Sequence, residues 1–141
     1  MYFSYDDMML KIVCFFCFFL ILSYFSIFRI KNKAKQLHND IEKERKILYE
    51  GRFVINRQQG FLFLTDKTLE FYYFNKKKEN FYLSLKDVIN VSFSGDFFFG
   101  YKILINTNSE DLSFYHDKAK KFKMTMDKIL AQKSSDDTQS I

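Results

Sequence analysis

The hydrophobic pattern of the chain changes three times, and its first section is a long apolar run. No residue from Ile12 to Phe28 is charged, and the stretch from Val13 to Leu22 is wholly apolar. Extending the run back to Met8 adds one charge, that of Lys11. A helix of about 20 residues covers a hydrocarbon core of ~30 Å. Residues 1–30 therefore predict a transmembrane anchor.

A cleaved signal peptide or a buried core helix could also produce an apolar run. The segment before the run carries Asp6 and Asp7 instead of a basic cluster, and no small-residue cleavage site follows it. A core helix this rich in Phe would need a large soluble domain around it. We therefore expect an uncleaved anchor.

Residues 31–50 follow with a polar pattern that favours a helix. The segment has no Gly or Pro and is rich in Lys, Glu and Gln. Its apolar residues have heptad-like spacing: Ala34, Leu37, Ile41 and Leu48. We expect a juxtamembrane stalk helix that ends near Gly51, with weak dimerisation as an open alternative.

From Arg52 the hydrophobic period becomes two, which is typical of strands with one buried face. The alternation is clearest at Phe81, Leu83 and Leu85 and again at Ile89, Val91 and Phe93. The pattern predicts strands over 52–56, 60–65, 68–75, 81–85, 88–94, 101–107 and 111–115. Short polar connections between them favour an antiparallel meander that closes into a sandwich or barrel.

The last section returns to helical spacing. Asp117 is a suitable N-cap, and one stripe of the following helix is apolar: Ala119, Phe122, Met126, Ile129 and Leu130. We expect this helix to end near Gln132 and the polar tail 133–141 to be disordered. The fold class is thus mainly β (α+β): an anchor and stalk helix, then a seven-stranded antiparallel domain over 51–132 capped by a C-terminal helix. Its expected core includes Phe71, Leu83, Phe93, Phe114 and Phe122.

Charge adds an orientation to this picture. The net charge is +5. Asp6 and Asp7 precede the expected anchor, and four basic residues follow it directly: Arg29, Lys31, Lys33 and Lys35. Lys and Arg favour the cytoplasmic side of a membrane. We expect a single-pass protein of the cell membrane, with its N-terminus outside and its C-terminal domain cytoplasmic. A basic flank beside a bilayer also points to anionic lipid before nucleic acid.

Two stretches of the strand region carry a family-like pattern. Gly60 to Phe71 contains a glycine, an apolar strand, a Thr-headed turn and a strand opening with Leu-x-Phe. Leu83 to Val88 leads from a strand into an acidic turn and then a Val. These stretches, with Phe114, Phe122 and Ile129 as the closing segment, resemble the GRAM and bacterial PH-like branches of the pleckstrin-homology superfold. The resemblance covers about 49–130 and implies a PH-like barrel or sandwich.

The sequence offers little for catalysis, so we expect neither an enzyme nor a cofactor. Its two histidines, His38 and His116, are far apart in sequence, and its only cysteines, Cys14 and Cys17, lie within the apolar run. These residues do not form a zinc-ligand pattern, and the four glycines form no phosphate-binding loop. We expect no metal site.

Two non-enzymatic functions remain open, and a nucleic-acid-binding role trails both. The first is protein interaction at the cytoplasmic membrane face through an edge strand or groove. The second is binding or sensing of anionic lipid headgroups through basic residues of the domain: Arg52, Arg57, Lys76, Lys77 and Lys78. Because the anchor already supplies localisation, we favour protein interaction.

Three consecutive aromatic residues between Gly95 and Gly100 form one further candidate site. Side chains alternate between the faces of a strand, so Phe97, Phe98 and Phe99 cannot all point inward. We expect Phe98 to be exposed near a hairpin tip. Membrane contact, partner contact and packing beneath the stalk are the three accounts of the cluster, and we favour contact with a membrane or partner.

Overall fold

The computed structural model describes residues 4–96, 98 and 100–139 of the chain. It contains two helices, α1 (Tyr5–Glu42) and α2 (Ala119–Gln139). Between them lie seven strands: β1 (Ile47–Ile55), β2 (Gln58–Thr65), β3 (Thr68–Tyr73), β4 (Phe81–Ser84), β5 (Val88–Asp96), β6 (Gly100–Thr107) and β7 (Leu112–Tyr115). The chain divides into two compact units, Met1–Asp40 and Ile41–Ile141, and we call the second the β domain.

Helix α1 is long and apolar enough to span a membrane, and none of its most apolar window is buried. The helix ends at Glu42, and the expected continuation of the stalk to residue 50 is wrong. Ile47–Glu50 instead open β1, because Tyr49 and Phe53 then fall on the buried face of the sheet. Gly51 is likewise a strand residue and not a helix stop.

The strands form one antiparallel sheet in the order β4-β3-β2-β1-β7-β6-β5. This confirms the mainly β fold class, with seven strands followed by a helix. The sheet is open rather than closed into a barrel, so β4 and β5 form its two edges in the described part of the chain.

One hydrophobic core joins both halves of the sheet to α2. Phe71 of β3 meets Phe114 of β7 with ring centroids 5.3 Å apart, and Phe114 meets Phe122 of α2 at 5.7 Å. All three are fully buried, as expected, whereas Leu83 is only partly buried. The helix stripe is also confirmed: Ala119, Phe122 and Met126 are buried, and Ile129 and Leu130 pack against the core.

An irregularity at the start of β5 overturns part of the expected alternation. The register between β5 and β6 shifts between Val88 and Asn90, so that Val88 and Val91 are both buried. Such a bulge adds one residue and redirects the side chains around it. Ile89 is therefore 63% exposed, and the prediction that it shares the buried face with Val91 is wrong. Phe93 follows Val91 by two residues in regular register but is 38% exposed, so its expected place in the core is also wrong.

Helix α2 extends to Gln139, so the expectation of disorder from Lys133 is wrong for 133–139. The Lys133 ammonium donates a hydrogen bond of 3.1 Å to the Leu85 carbonyl in the β4–β5 connection. This contact ties the C-terminal half of α2 to the sheet.

Candidate interaction surface

Three turns and the start of α2 share one end of the sheet, which we call the hairpin end. The Phe74 amide, at the start of the β3–β4 turn, donates a 2.9 Å hydrogen bond to the carbonyl of Gln59, beside the β1–β2 turn. One cleft is lined by residues of the β1–β2 hairpin, of the β5–β6 hairpin and of the segment before α2: Val54, Gln59, Gly100, Tyr101 and Asp117. Turns that are far apart in the sequence thus lie together.

The hairpin end carries most of the basic residues that we proposed for headgroup binding. Asn56 and Arg57 form the β1–β2 turn with φ values of 49° and 65°, the signs that a type I′ hairpin requires. Arg57 is exposed, and so is the run Lys76–Lys78 in the β3–β4 turn. The Lys78 ammonium lies 5.6 Å from the centre of the Tyr73 ring, a cation–π distance.

Arg52 lies beside the hairpin end, and the basic residues that follow the apolar run lie on α1. Arg52 is exposed within β1 and lines the same cleft as Tyr101. The juxtamembrane residues are all part of α1: Arg29, Lys31, Lys33 and Lys35. The structure therefore brings Arg57 and Lys76–Lys78 to the hairpin end, and Arg52 lines the cleft at that end.

The β5–β6 turn projects an aromatic side chain from the hairpin end. Phe98 is 87% exposed, as expected, and its amide donates a 2.9 Å hydrogen bond to the Asp96 carboxylate. Gly95 and Gly100 flank the turn with φ values of 114° and 85°, which L side chains rarely adopt. Phe97 and Phe99, the other two members of the expected cluster, lie outside the described residues.

A second cleft, of about 590 Å³, lies between the β5–β6 hairpin and the first turns of α2. Its apolar lining includes Phe93, Tyr101 and Met124. Four lysines surround it, together with Asp117: Lys118, Lys120, Lys121 and Lys128. We call this the basic cleft. Sequence reasoning missed it, because it separated the lysines of α2 from the aromatic residues of β5 and β6.

The sheet has a long edge at β5. This strand has nine residues and pairs only with β6 among the described strands. The opposite edge, β4, has four residues. An edge strand presents unpaired backbone N–H and C=O groups that another chain can pair with. Exposed Ile89 adds apolar surface beside this edge.

A buried carboxylate marks the point where the chain leaves α1 and enters the sheet. Glu70 of β3 is fully buried and forms an ion pair with Arg45 in the connector between α1 and β1. The Thr68 hydroxyl donates to one Glu70 oxygen at 2.9 Å and the Tyr72 hydroxyl to the other at 2.8 Å. Burial, and then the hydrogen bond to Glu70, raise the pKa of Tyr72. A Glu inside the apolar run Leu69–Phe71 was a visible signal of such a site.

A second buried polar group joins β1 to the end of β7. The His116 ring accepts a hydrogen bond from the Tyr49 hydroxyl and donates one from Nδ1 to the Arg52 carbonyl. Burial lowers the pKa of His116, and burial with the nearby Asp117 charge raises the pKa of Tyr49 to about 12. These directions keep both groups neutral near pH 7, which suits a structural contact.

Among residues 4–96, 98 and 100–139, no three His, Cys, Asp or Glu side chains are grouped so that they could hold a metal ion. Cys14 and Cys17 are exposed, unpaired thiols on α1. Glu70 and His116 are buried, and their ion pair and hydrogen bonds are made to other residues of the β domain.

No protein-family model and no curated protein matches the chain. A solved structure similar to the chain is the crystal structure of the C-terminal domain of an unknown protein from Leishmania infantum. The two are 17% identical, with a TM-score of 0.53, and the match covers 72% of this chain and 98% of that one. At this identity the likeness concerns the fold alone.

Proposed function

We propose that the chain is a single-pass membrane protein whose β domain binds another protein at the cytoplasmic membrane face. The observation that carries this proposal is the open edge at β5, a nine-residue strand with exposed Ile89 beside it. Addition of a strand from a partner would satisfy the backbone groups of this edge. The proposal assigns the domain no enzymatic activity.

The PH-like or GRAM-like assignment belongs to this proposal. Seven antiparallel strands followed by a helix that packs on their core support it. The stretch Gly60–Phe71 supplies the local pattern, and here it forms β2, a tight turn at Asp66-Lys67 and the first part of β3. Such domains act as binding modules, which agrees with the absence of a catalytic pattern in the sequence.

The second part of the proposal is that α1 inserts in the membrane and leaves the β domain on the cytoplasmic side. The exposed apolar surface of α1 supports insertion, and the basic residues that follow Phe28 favour a cytoplasmic β domain. A reporter that is active only in the cytoplasm, fused after Ile141, should be active. Protection of the N-terminus and digestion of the β domain by external protease in intact cells would contradict this orientation.

Site-specific photocrosslinking in cells tests whether a partner protein binds at the β5 edge. A photoreactive amino acid at Ile89 should give a crosslinked band of defined mass, and the same group at Tyr82, 57% exposed in β4, provides the matched control. Ile89→Lys should remove the band obtained from a neighbouring position, Asn90, because a charge on an edge strand opposes strand addition. Equal crosslinking from Ile89 and Tyr82 would refute a specific role of β5.

Headgroup binding is a second candidate, favoured by the shared location of Arg57 and Lys76–Lys78 at the hairpin end. Substitution of Lys76–Lys78 by Gln should then weaken binding to anionic vesicles and leave neutral vesicles unaffected. If the substitutions left binding to anionic vesicles unchanged, headgroup binding by this turn would be excluded.

A further inference from the structure

The basic cleft and the exposed β5–β6 turn are adjacent and have complementary chemistry. Tyr101 lines the cleft and directly follows Gly100 of the turn, and Phe93 of the same hairpin packs edge-on against Tyr101 at 5.9 Å. The turn therefore continues into the wall of the cleft. The turn that carries Phe98 and the lysine-lined cleft therefore adjoin through Tyr101.

Exposure and charge distinguish this surface from the rest of the β domain. Phe98 is 87% exposed, and Met124, which lines the cleft, is 55% exposed. Within the described part of the chain, no ion pair neutralises the four lysines of the cleft. The nearest ion pair on α2 joins Lys123 to Asp127 at 2.5 Å, outside the cleft lining.

We propose that this surface docks on the anionic bilayer that holds α1: Phe98 enters the interface and the lysines of the basic cleft bind headgroups. Basic residues are attracted to anionic lipid within about a Debye length of the surface, ~8 Å at physiological salt, and apolar side chains are stabilised by leaving water. The same pairing of charge and apolar surface is found where helices lie in a membrane interface.

The covalent tether supports the choice of this membrane. The part of α1 after Phe28 ends at Glu42, about 20 Å of helix at 1.5 Å per residue. A surface tethered to a bilayer by so short a segment has a high effective concentration, so a weak affinity is enough for docking. The inference rests on the proposed insertion of α1 and is independent of the protein-binding role of β5.

The chain contains no Trp, which gives a direct test. Phe98→Trp introduces a single indole fluorophore into the full-length protein, which is reconstituted in vesicles of phosphatidylcholine with phosphatidylserine. Insertion of the indole into the apolar interface should shift its emission to shorter wavelength, and lipids brominated on their acyl chains should quench it. Tyr82→Trp, on the opposite edge of the sheet, is the matched control and should remain unquenched. Equal quenching of both, or of neither, would overturn the proposal.

A second test measures how docking depends on the charge of the lysines and of the lipid. In the Phe98→Trp background, Lys118→Gln with Lys121→Gln should lower the ratio of docked to undocked protein by about fivefold per lysine. Replacement of the same residues by Arg should restore quenching. Quenching that is unchanged by Gln, or by omission of phosphatidylserine, would refute an electrostatic contribution.

Two further measurements distinguish a failure of α1 insertion from docking on a different membrane. Resistance of the reconstituted protein to alkaline extraction reports insertion of α1, so extraction would show that the anchor proposal itself has failed. Brominated lipid confined to added acceptor vesicles tests an apposed membrane. Quenching by these vesicles alone would overturn docking on the bilayer that holds α1.

Discussion

Removal of the Arg45 guanidinium is the sharpest test of how the connector is held to the sheet. Arg45→Ala leaves the Glu70 carboxylate fully buried with only two hydroxyl donors, from Thr68 and Tyr72. Loss of one member of a buried ion pair costs about 3–5 kcal/mol. Arg45 keeps 34% of its side chain exposed, and its Nε is buried without a hydrogen-bond partner in the described structure. Both features reduce the net contribution of the pair, so we expect about 2–3 kcal/mol.

The complementary substitution should cost less. Glu70→Gln keeps the shape of the side chain and an oxygen that accepts from a hydroxyl, and the partly exposed Arg45 can turn towards water. We expect about 1 kcal/mol for this change. The double variant should be more stable than Arg45→Ala alone, because it no longer contains a buried carboxylate without its cation.

Urea unfolding of the fragment 41–141 measures these differences. A loss of about 2–3 kcal/mol corresponds to a fall in the midpoint of about 1–2 M urea. Lys123→Ala is the matched control, because it breaks the surface pair with Asp127 and should cost no more than about 0.5 kcal/mol. If Arg45→Ala were as mild as Lys123→Ala, the buried Glu70 side chain would not depend on Arg45 and the reasoning would be wrong.

Three other predictions concern the core and its buried histidine. Phe122→Ala should lower the unfolding free energy by about 3–5 kcal/mol, and an unchanged thermal midpoint would show that α2 does not dock on the sheet. Gly51→Ala should cost about 1–3 kcal/mol by calorimetry, because the added Cβ collides with the His116 ring; a neutral effect would contradict this packing. Burial lowers the pKa of His116 below its ordinary 6.5, so the unfolded chain binds a proton more readily than the folded chain. Stability should therefore be full above about pH 6.5 and fall with acidification below it, and His116→Gln should weaken this dependence in pH-resolved melting.

The elements of the domain were predictable from the sequence because each depends on local spacing. The apolar residues of α2 recur with helical period, and its buried stripe is the expected one, from Ala119 to Leu130. Strands β1 and β6 alternate because one face of the sheet covers the core, whereas β2 is buried on both faces from Gly60 to Thr65. Two predictions failed for local reasons. The bulge at Ile89 adds one residue to β5 and so breaks the alternation of buried and exposed side chains. Strand β1 begins at Ile47, within a sequence whose composition favours a helix.

The candidate sites were less predictable because they depend on contacts between distant segments. The partner of Glu70 lies 25 positions earlier, in a connector whose sequence alternates acids and bases without a distinguishing pattern. The basic cleft combines residues of β5, β6 and α2, which only the folded sheet brings together. The exposure of Phe98 was predictable, because three adjacent aromatic residues between glycines cannot all face a core.

The position of Arg45 also determines where the β domain can be cut. The sequence places the domain boundary near residue 51, after the polar helix, yet a fragment that begins there lacks both Arg45 and Tyr49. Such a fragment would retain the Glu70 carboxylate and the His116 ring without their partners from the missing segment. The connector is therefore a structural part of the domain that it joins to α1. Replacement of α1 by another helix would preserve folding of the β domain only if the junction were placed before Ile41, which is buried.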